Sequence, residues 1–241
     1  MKRVIFTIYE ELESNSQVEI LNRKKFQQYK DRLLKNKEDY AKLINVDFKF
    51  YDKFYDETLL NIKDNFVGVN LYKHHLMREL ANKYDEILYV DFDVIFNTDE
   101  NFFEEWDLSK GIVVKDQNYE LTTKDIDDHT LWQMPKRSPT LKFFITQDLL
   151  GGKDNYVINT GIMGATSKHI KKLNYLKKLP AIIKKINKIK NSFHFVRGKY
   201  YPNNESIFSY ILEKYKIPYQ LMDNDWHDIR DHNVVDRPLG K

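Results

Sequence analysis

The sequence predicts an α/β domain with a mostly parallel central sheet flanked by helices. Three observations carry that reading. Short apolar runs that suit strands alternate with longer stretches of helical spacing through the first ninety residues. The order strand, helix, strand, helix, strand calls for right-handed crossovers between parallel neighbours. Size and composition allow it: 241 residues, 41% hydrophobic and 14% aromatic, suffice for one well-cored domain.

Each element has its own signal. Arg3–Tyr9 (RVIFTIY) reads as a buried first strand. An acidic loop, Glu10–Ser16, follows it, and Ser16 is placed to cap a helix running to about Ile44. Leu21, Tyr29 and Leu33 partly share one face of that helix. Val46–Tyr51 (VDFKFY) alternates at period two, a second strand. Met77, Leu80, Ala81 and Tyr84 recur at helical spacing within Leu71–Tyr84, which runs directly into a third strand, Glu86–Val90. Ile112–Lys115 is a fourth. Residues 116–154 are polar and poorly periodic, which predicts a lid or an acceptor-side insertion. Tyr156–Gly164 reads as a returning strand with a glycine break. Ser167–Lys190 is helical and broken at Pro180, Pro202–Lys214 is helical, and Ile217–Met222 is a last strand. No repeat or linker divides the chain, so a single domain over residues 1–241 is expected.

Composition removes several function classes. A net charge of +3 gives no footprint for nucleic acid. The absence of cysteine leaves no disulfide framework and no thiolate metal site. No signal-peptide pattern and no apolar run of membrane-spanning length is present, so a soluble cytoplasmic protein is expected. Lys168–Lys190 holds nine lysines and no acid. A solvated helix face is the preferred reading, since like-charge runs are usually surface features. Peripheral docking to an anionic membrane or glycan is the alternative, and Ile182, Ile183, Ile186 and Ile189 suit a core face equally well.

The chemistry concentrates in residues 87–96, ILYVDFDVIF. Burying unpaired carboxylates in mid-strand would be very costly. In an open parallel sheet, however, ligands sit beyond the carboxyl ends of the strands. Asp91 begins where the third strand ends, so Asp91 and Asp93 leave the sheet at its functional edge. Two carboxylates at i, i+2 can converge on one hard cation, and Mn²⁺ or Mg²⁺ with a phosphate-bearing substrate fits. On spacing alone, an exposed acidic turn competes evenly with that reading.

YDEILYVDFDVIF resembles the DxD region of GT-A-fold glycosyltransferases, in which a helix runs into a strand, a DxD and an apolar pair. INTGIMGA (158–165) resembles the Asn-x-Gly strand of family-8-like retaining enzymes, such as glycogenin and bacterial lipopolysaccharide galactosyltransferases. NNESIF (203–208) stands where those enzymes open a helix with Asp-Gln, and LYKHHLMREL (71–80) resembles their helix with a donor-binding lysine. The resemblance implies a GT-A-type, Rossmann-like domain. It also implies a metal-dependent hexosyltransferase using a nucleotide-diphosphate sugar, with UDP first, and retention at the sugar. The implied cofactor is Mn²⁺ or Mg²⁺, and the acceptor is a glycan or another hydroxyl.

The resemblance also implies roles. Asp93 is the main metal ligand, and Asp91 contacts the metal or the ribose. Lys73 reaches the donor sugar or phosphate. Thr7 and Tyr9 line the base pocket, and Asn159 and Gly161 lie under the donor sugar. Asn204 and Glu205 replace Asp-Gln, with the carboxylate moved by one position, so Glu205 is a candidate for binding hydroxyls or stabilising positive charge at the sugar. The third metal ligand is His232, with His227 as the alternate, because HNVVDRPLGK departs from the family's H-x-x-G-x-x-K-P-W. Trp226 is a tail anchor or a sugar platform. Two other classes compete. Phosphatases of the haloacid dehalogenase type also place D-x-D-x-[TV] at a strand end, but the last place here is Ile95. A sugar-nucleotide or glycan-binding module with a decayed site is the non-enzymatic alternative.

Overall fold

The computed structural model describes residues 1–9, 17–52, 65–117, 138–190 and 204–227. Its centre is a six-stranded sheet: β1 (Arg3–Ile8), β2 (Asp47–Tyr51), β3 (Glu86–Val90), β4 (Ile112–Asp116), β5 (Ile158–Thr166) and β6 (Tyr219–Leu221). The strand order is β2-β1-β3-β5-β4-β6. β1 pairs in parallel with β2 and β3, and β4 pairs in parallel with β6. β5 runs antiparallel to both its neighbours. The fold class is therefore the predicted one, mixed α/β with a mostly parallel sheet, and β5 is the reversed strand within it.

Helices cover both faces. α1 (Gln17–Leu43) and the short α3 (Phe102–Glu105) lie on one side. Their core there joins Ile5, Leu88 and Val90 of the sheet to Tyr40, Phe102 and Trp226. On the other side lie α2 (Asn65–Leu80), α4 (Pro139–Leu149), α5 (Ser167–Leu173), α6 (Tyr175–Lys190) and α7 (Asn204–Lys214). That larger core joins Val4, Phe6, Ile87 and Tyr89 to Leu76, Ile145, Ile186 and Phe208. The alternation along β1 and β3 sends successive side chains to opposite cores. β3 is buried at all five positions, as a strand covered on both faces must be.

Several elements differ from the sequence expectation, each for a local reason. Within 116–154, residues Pro139–Leu149 form a core helix: Leu141, Ile145 and Leu149 are buried, and α4 packs on α6 and α7. Those residues belong to the core and not to a lid, while 118–137 lie outside the described residues. The helical stretch after β5 breaks at Asn174, not at Pro180. Asn174 takes the left-handed conformation (φ 42°, ψ 49°), which asparagine tolerates, and ends α5. Pro180 sits inside α6 at an exposed position, where the carbonyl it leaves without a donor can be hydrated. Gly164 is no strand break either. β5 runs through it, and a Cβ there would stand 2.5 Å from the Phe102 ring. The Phe102 ring thus fills the space that a side chain at 164 would need.

The basic stretch is partly spent on the fold. Lys178 donates to the carbonyls of Leu173 and Lys172, and Lys185 donates to that of Leu149. Leu179, Ile182 and Ile186 are buried in the core, so this apolar face is not open to a bilayer. Lys168, Lys171, Lys177 and Lys184 are exposed. Among the described residues, no helix is long and apolar enough to cross a membrane.

His74 of α2 is buried against the rings of Tyr175 (3.9 Å between centroids) and Phe208 (5.5 Å). Neither ring nitrogen has a hydrogen-bond partner. Burial pushes its pKa well below 6.5, and neighbouring Lys73 adds to the effect. The folded protein then refuses a proton that the unfolded chain accepts below pH 6.5. Stability should fall by about 1.4 kcal/mol per pH unit from this group alone as pH drops below 6.5. His74→Phe should flatten that part of the curve, as measured by denaturant unfolding between pH 8 and 5.

Candidate active site

The strand order fixes where a site can lie. From β1 the chain crosses to β2 on one side, and then returns past β1 to β3 on the other. The carboxyl ends of β1 and β3 therefore flank the point where the order reverses, the usual ligand crevice of an open α/β sheet. Asp91 leaves β3 there. Its amide donates to the Gly161 carbonyl at 2.6 Å, and the Val94 amide donates back to the Asp91 carbonyl at 3.1 Å. These bonds fold Asp91–Val94 into a turn at the sheet edge, out of the sheet's middle.

The two carboxylates differ in surroundings. Asp91 Oδ1 accepts a short hydrogen bond from the Tyr89 hydroxyl and lies 3.6 Å from the Lys73 ammonium. Tyr89 is fully buried, and burial followed by the Asp91 charge holds its phenol well above 10, so it stays a donor. Asp93 reaches solvent, yet its carboxyl is raised above the ordinary 3.8. Loss of water to the surrounding protein is the first cause and the charge of Asp91 the second; Lys37 and Lys73 act in the opposite direction more weakly. Solvent access decides what can reach this carboxylate, and the upward shift shows that its charge is under-compensated.

β5 forms the floor. Lys73, only 1% exposed, donates to the Thr160 carbonyl at 2.9 Å and lies over the Tyr89 ring at 4.9 Å, so it is no solvated helix lysine. The Asn159 side chain accepts from the Gly161 amide at 2.7 Å. Every polar group of Thr160 is engaged: its amide donates to Glu205 at 3.2 Å, and its hydroxyl accepts from Asn204 at 2.8 Å. The second Glu205 oxygen pairs closely with buried Lys142 of α4. Lys142 also donates to Gln117 at 3.3 Å. A continuous polar chain thus runs from Asp91 through Lys73 and Thr160 to Glu205 and Lys142. It joins β3, α2, β5, α7 and α4.

Gly161 is where the backbone must come close. A Cβ there would stand 2.9 Å from Asn159 Oδ1 and 3.0 Å from Asp91 Oδ2. Gly161→Ala should therefore displace the Asp91 carboxylate. An error of about 1 Å in such a group can cost roughly 10²-fold in turnover. Activity should drop by that order while the far-UV circular dichroism stays unchanged.

Other expected residues are placed less tightly. Thr7 is fully buried on β1 with its hydroxyl unpartnered, so it does not line an open surface. Tyr9 is half-buried at the sheet edge, 4.6 Å from the Phe92 ring and under Lys30. His227 is buried, and among the described residues no group of three His, Asp or Glu could hold a metal ion. Within the described residues, His227 forms no three-residue set with Asp91 and Asp93. His232 lies outside the described residues. Trp226 packs edge-on against Phe102 at 5.7 Å, the anchor role. The donor set still suits a hard divalent cation: two carboxylates that both reach solvent, with repulsion between them that a cation would relieve. An open recess of about 770 Å³ lined by Arg3, Asp47 and Lys83 lies at the opposite end of the sheet, away from these groups.

Sequence reasoning missed three buried groups. Tyr89 was legible in principle, since period two puts it on the same side as Asp91. Lys37 and Lys142 occupy positions within apolar helical stripes (Leu33, Lys37, Tyr40, Ala41; Leu141, Lys142, Ile145), where a lysine is out of place unless it has a partner.

No protein-family model matches the chain, and no curated protein matches it. Among solved structures, the chain is similar to a glycosyltransferase involved in the glycosylation of the major capsid of PBCV-1. The identity is 13%, over 93% of this chain and 84% of that one, with a TM-score of 0.47.

Proposed function

We propose that the chain is a metal-dependent glycosyltransferase. It transfers a hexose from a nucleotide-diphosphate sugar, with UDP as the nucleotide, to a hydroxyl of a glycan or other acceptor, with retention at the sugar. The observation that carries this reading is the solvent-reaching Asp91–Asp93 pair at the end of β3, at the switch point of the sheet. The resemblance of the DxD, Asn-x-Gly and Lys73 segments supports it in the same place.

The reaction breaks the bond between the sugar C1 and the diphosphate oxygen and forms one from C1 to the acceptor oxygen. The acceptor proton leaves to the diphosphate or to solvent, and negative charge develops on the diphosphate. Asp91 and Asp93 would hold Mn²⁺ or Mg²⁺, whose Lewis acidity neutralises that charge. Tyr89 and Lys73 fix the Asp91 carboxylate by hydrogen bond and charge. Lys73 is bound to Thr160, so its charge stays beside the pair and supplements the cation electrostatically. Gly161 keeps the floor low enough for a sugar to approach.

A thermal-shift screen of nucleotides and nucleotide sugars, with and without Mn²⁺, tests the reading. Stabilisation that needs both nucleotide and metal is expected. Absence of metal-dependent stabilisation by every nucleotide and nucleotide sugar would sink it.

A further inference from the structure

We propose that Lys37 is a positioning residue for the Asp91–Asp93 turn; the proposal rests on the metal-binding reading above. Lys37 is on α1, far in sequence from the carboxylates, and is 0% exposed. Its ammonium donates to the Phe92 carbonyl at 2.7 Å and the Val94 carbonyl at 2.6 Å. Those are the two residues flanking Asp93. A third bond, at 3.4 Å, goes to the Leu33 carbonyl of its own helix, and the ammonium lies 5.2 Å from the Phe92 ring centre. Among the described residues no carboxylate lies within ion-pair distance of it.

Such a placement needs a reason. Burial lowers the Lys37 pKa to about 8, against the favourable field of Asp93 and Asp91. An apolar residue would cost less in a stripe between Leu33 and Tyr40. What the ammonium does is pin the two carbonyls that flank Asp93, and with them the backbone on either side of that carboxylate. Residues 91–97 form no helix or strand of their own. Their conformation is therefore set by such contacts. Asn36 makes a similar pair of bonds to Phe96 farther along, at 2.9 and 2.8 Å, three residues beyond Asp93. Lys73 acts from α2 on the opposite face of the sheet, so the turn is held between two buried ammoniums from two helices.

Partners that orient a metal ligand typically govern affinity by about 10- to 100-fold. The test is Mn²⁺ binding to the full chain by electron paramagnetic resonance, with and without UDP, alongside circular dichroism. Lys37→Met should remain folded and bind Mn²⁺ at least about tenfold more weakly. Lys37→Gln, whose amide can reach one of the two carbonyls, should recover part of that loss. Asn36→Ala, which frees Phe96 farther along the same segment, should weaken Mn²⁺ binding by less than Lys37→Met does. A folded Lys37→Met with wild-type affinity overturns the proposal and leaves the proposed function standing. Failure of both Lys37 variants to fold makes Lys37 a folding residue and overturns it too. If the wild type binds no Mn²⁺ in either condition, the metal-dependent reading fails first and the positioning role falls with it.

Discussion

Asp93→Asn is expected to lower sugar transfer about 10³-fold while raising the melting temperature at neutral pH. The first effect follows from the charge that develops on a departing diphosphate. Removing one preorganised electrostatic partner from such a site typically costs about 10²–10³ in turnover, and loss of a metal ligand lies at the upper end. The second effect follows from the direction of the Asp93 shift. Its folded pKa stands above the ordinary 3.8, so the folded state favours the protonated, neutral carboxyl. Ionisation therefore costs stability, a cost that appears as pH rises from 3.8 through the folded pKa and is fully present above it. Asparagine is a permanent mimic of the neutral form. The stability difference between variant and wild type should open across that acid window and vanish below it. Activity and stability moving in opposite directions mark a functional carboxylate; a structural one would lose both. Added Mn²⁺ should shrink the stability gap in the wild type, since a bound cation removes the same repulsion. Kinetics with and without metal, and melting curves from pH 3 to 8, check both halves. An Asp93→Asn protein with full activity would refute the assignment.

The legible part of this molecule is the part where burial and periodicity coincide. Glu86–Val90 could be read because all five residues are buried in a strand covered on both faces, so the sequence must break its apolar run where the strand ends. Asp91 marks that break, and the site edge follows from it. α4 was not legible, because its buried face is not apolar throughout. Thr140, Lys142 and Thr146 are buried there beside Leu141, Ile145 and Leu149; the Thr146 hydroxyl donates to the Lys142 carbonyl, and the Lys142 ammonium pairs with Glu205. A reading from hydrophobic spacing sees such a helix as polar and structureless. The direction of β5 was hidden for a different reason. A strand's residues encode which sides are buried but not which way its neighbours run, and Ile158–Thr166 is buried on both faces either way. Asn174 and Pro180 show how local signals compete: the proline sat where water could serve its missing donor, and the asparagine supplied the left-handed residue that ends a helix.

Lys142→Met is expected to destabilise the fold by about 3–5 kcal/mol, more than any other single change to the site. The ion pair between Lys142 and Glu205 is largely withdrawn from water, with side chains 7% and 12% exposed. Removing the cation leaves Glu205 charged in a poorly solvated place without the ammonium that balanced it. Replacing both partners avoids that penalty, because desolvated pairs often break even against neutral side chains of similar size. Lys142→Met with Glu205→Gln should thus regain most of the lost stability, as read by urea unfolding. The double variant then separates two roles for Glu205. One Glu205 oxygen accepts from Thr160 and the other pairs with Lys142, which makes it a support for β5. A glutamine keeps the Thr160 contact, so a support role predicts that the stabilised double variant transfers sugar within about tenfold of the wild type. A role in stabilising positive charge at the sugar predicts a loss nearer 10³-fold, since the carboxylate charge itself would be missing. Stability recovered without activity would return Glu205 to the chemistry. Recovery of both would fix it as the strut that carries Thr160, and through Thr160 and Lys73, the position of Asp91.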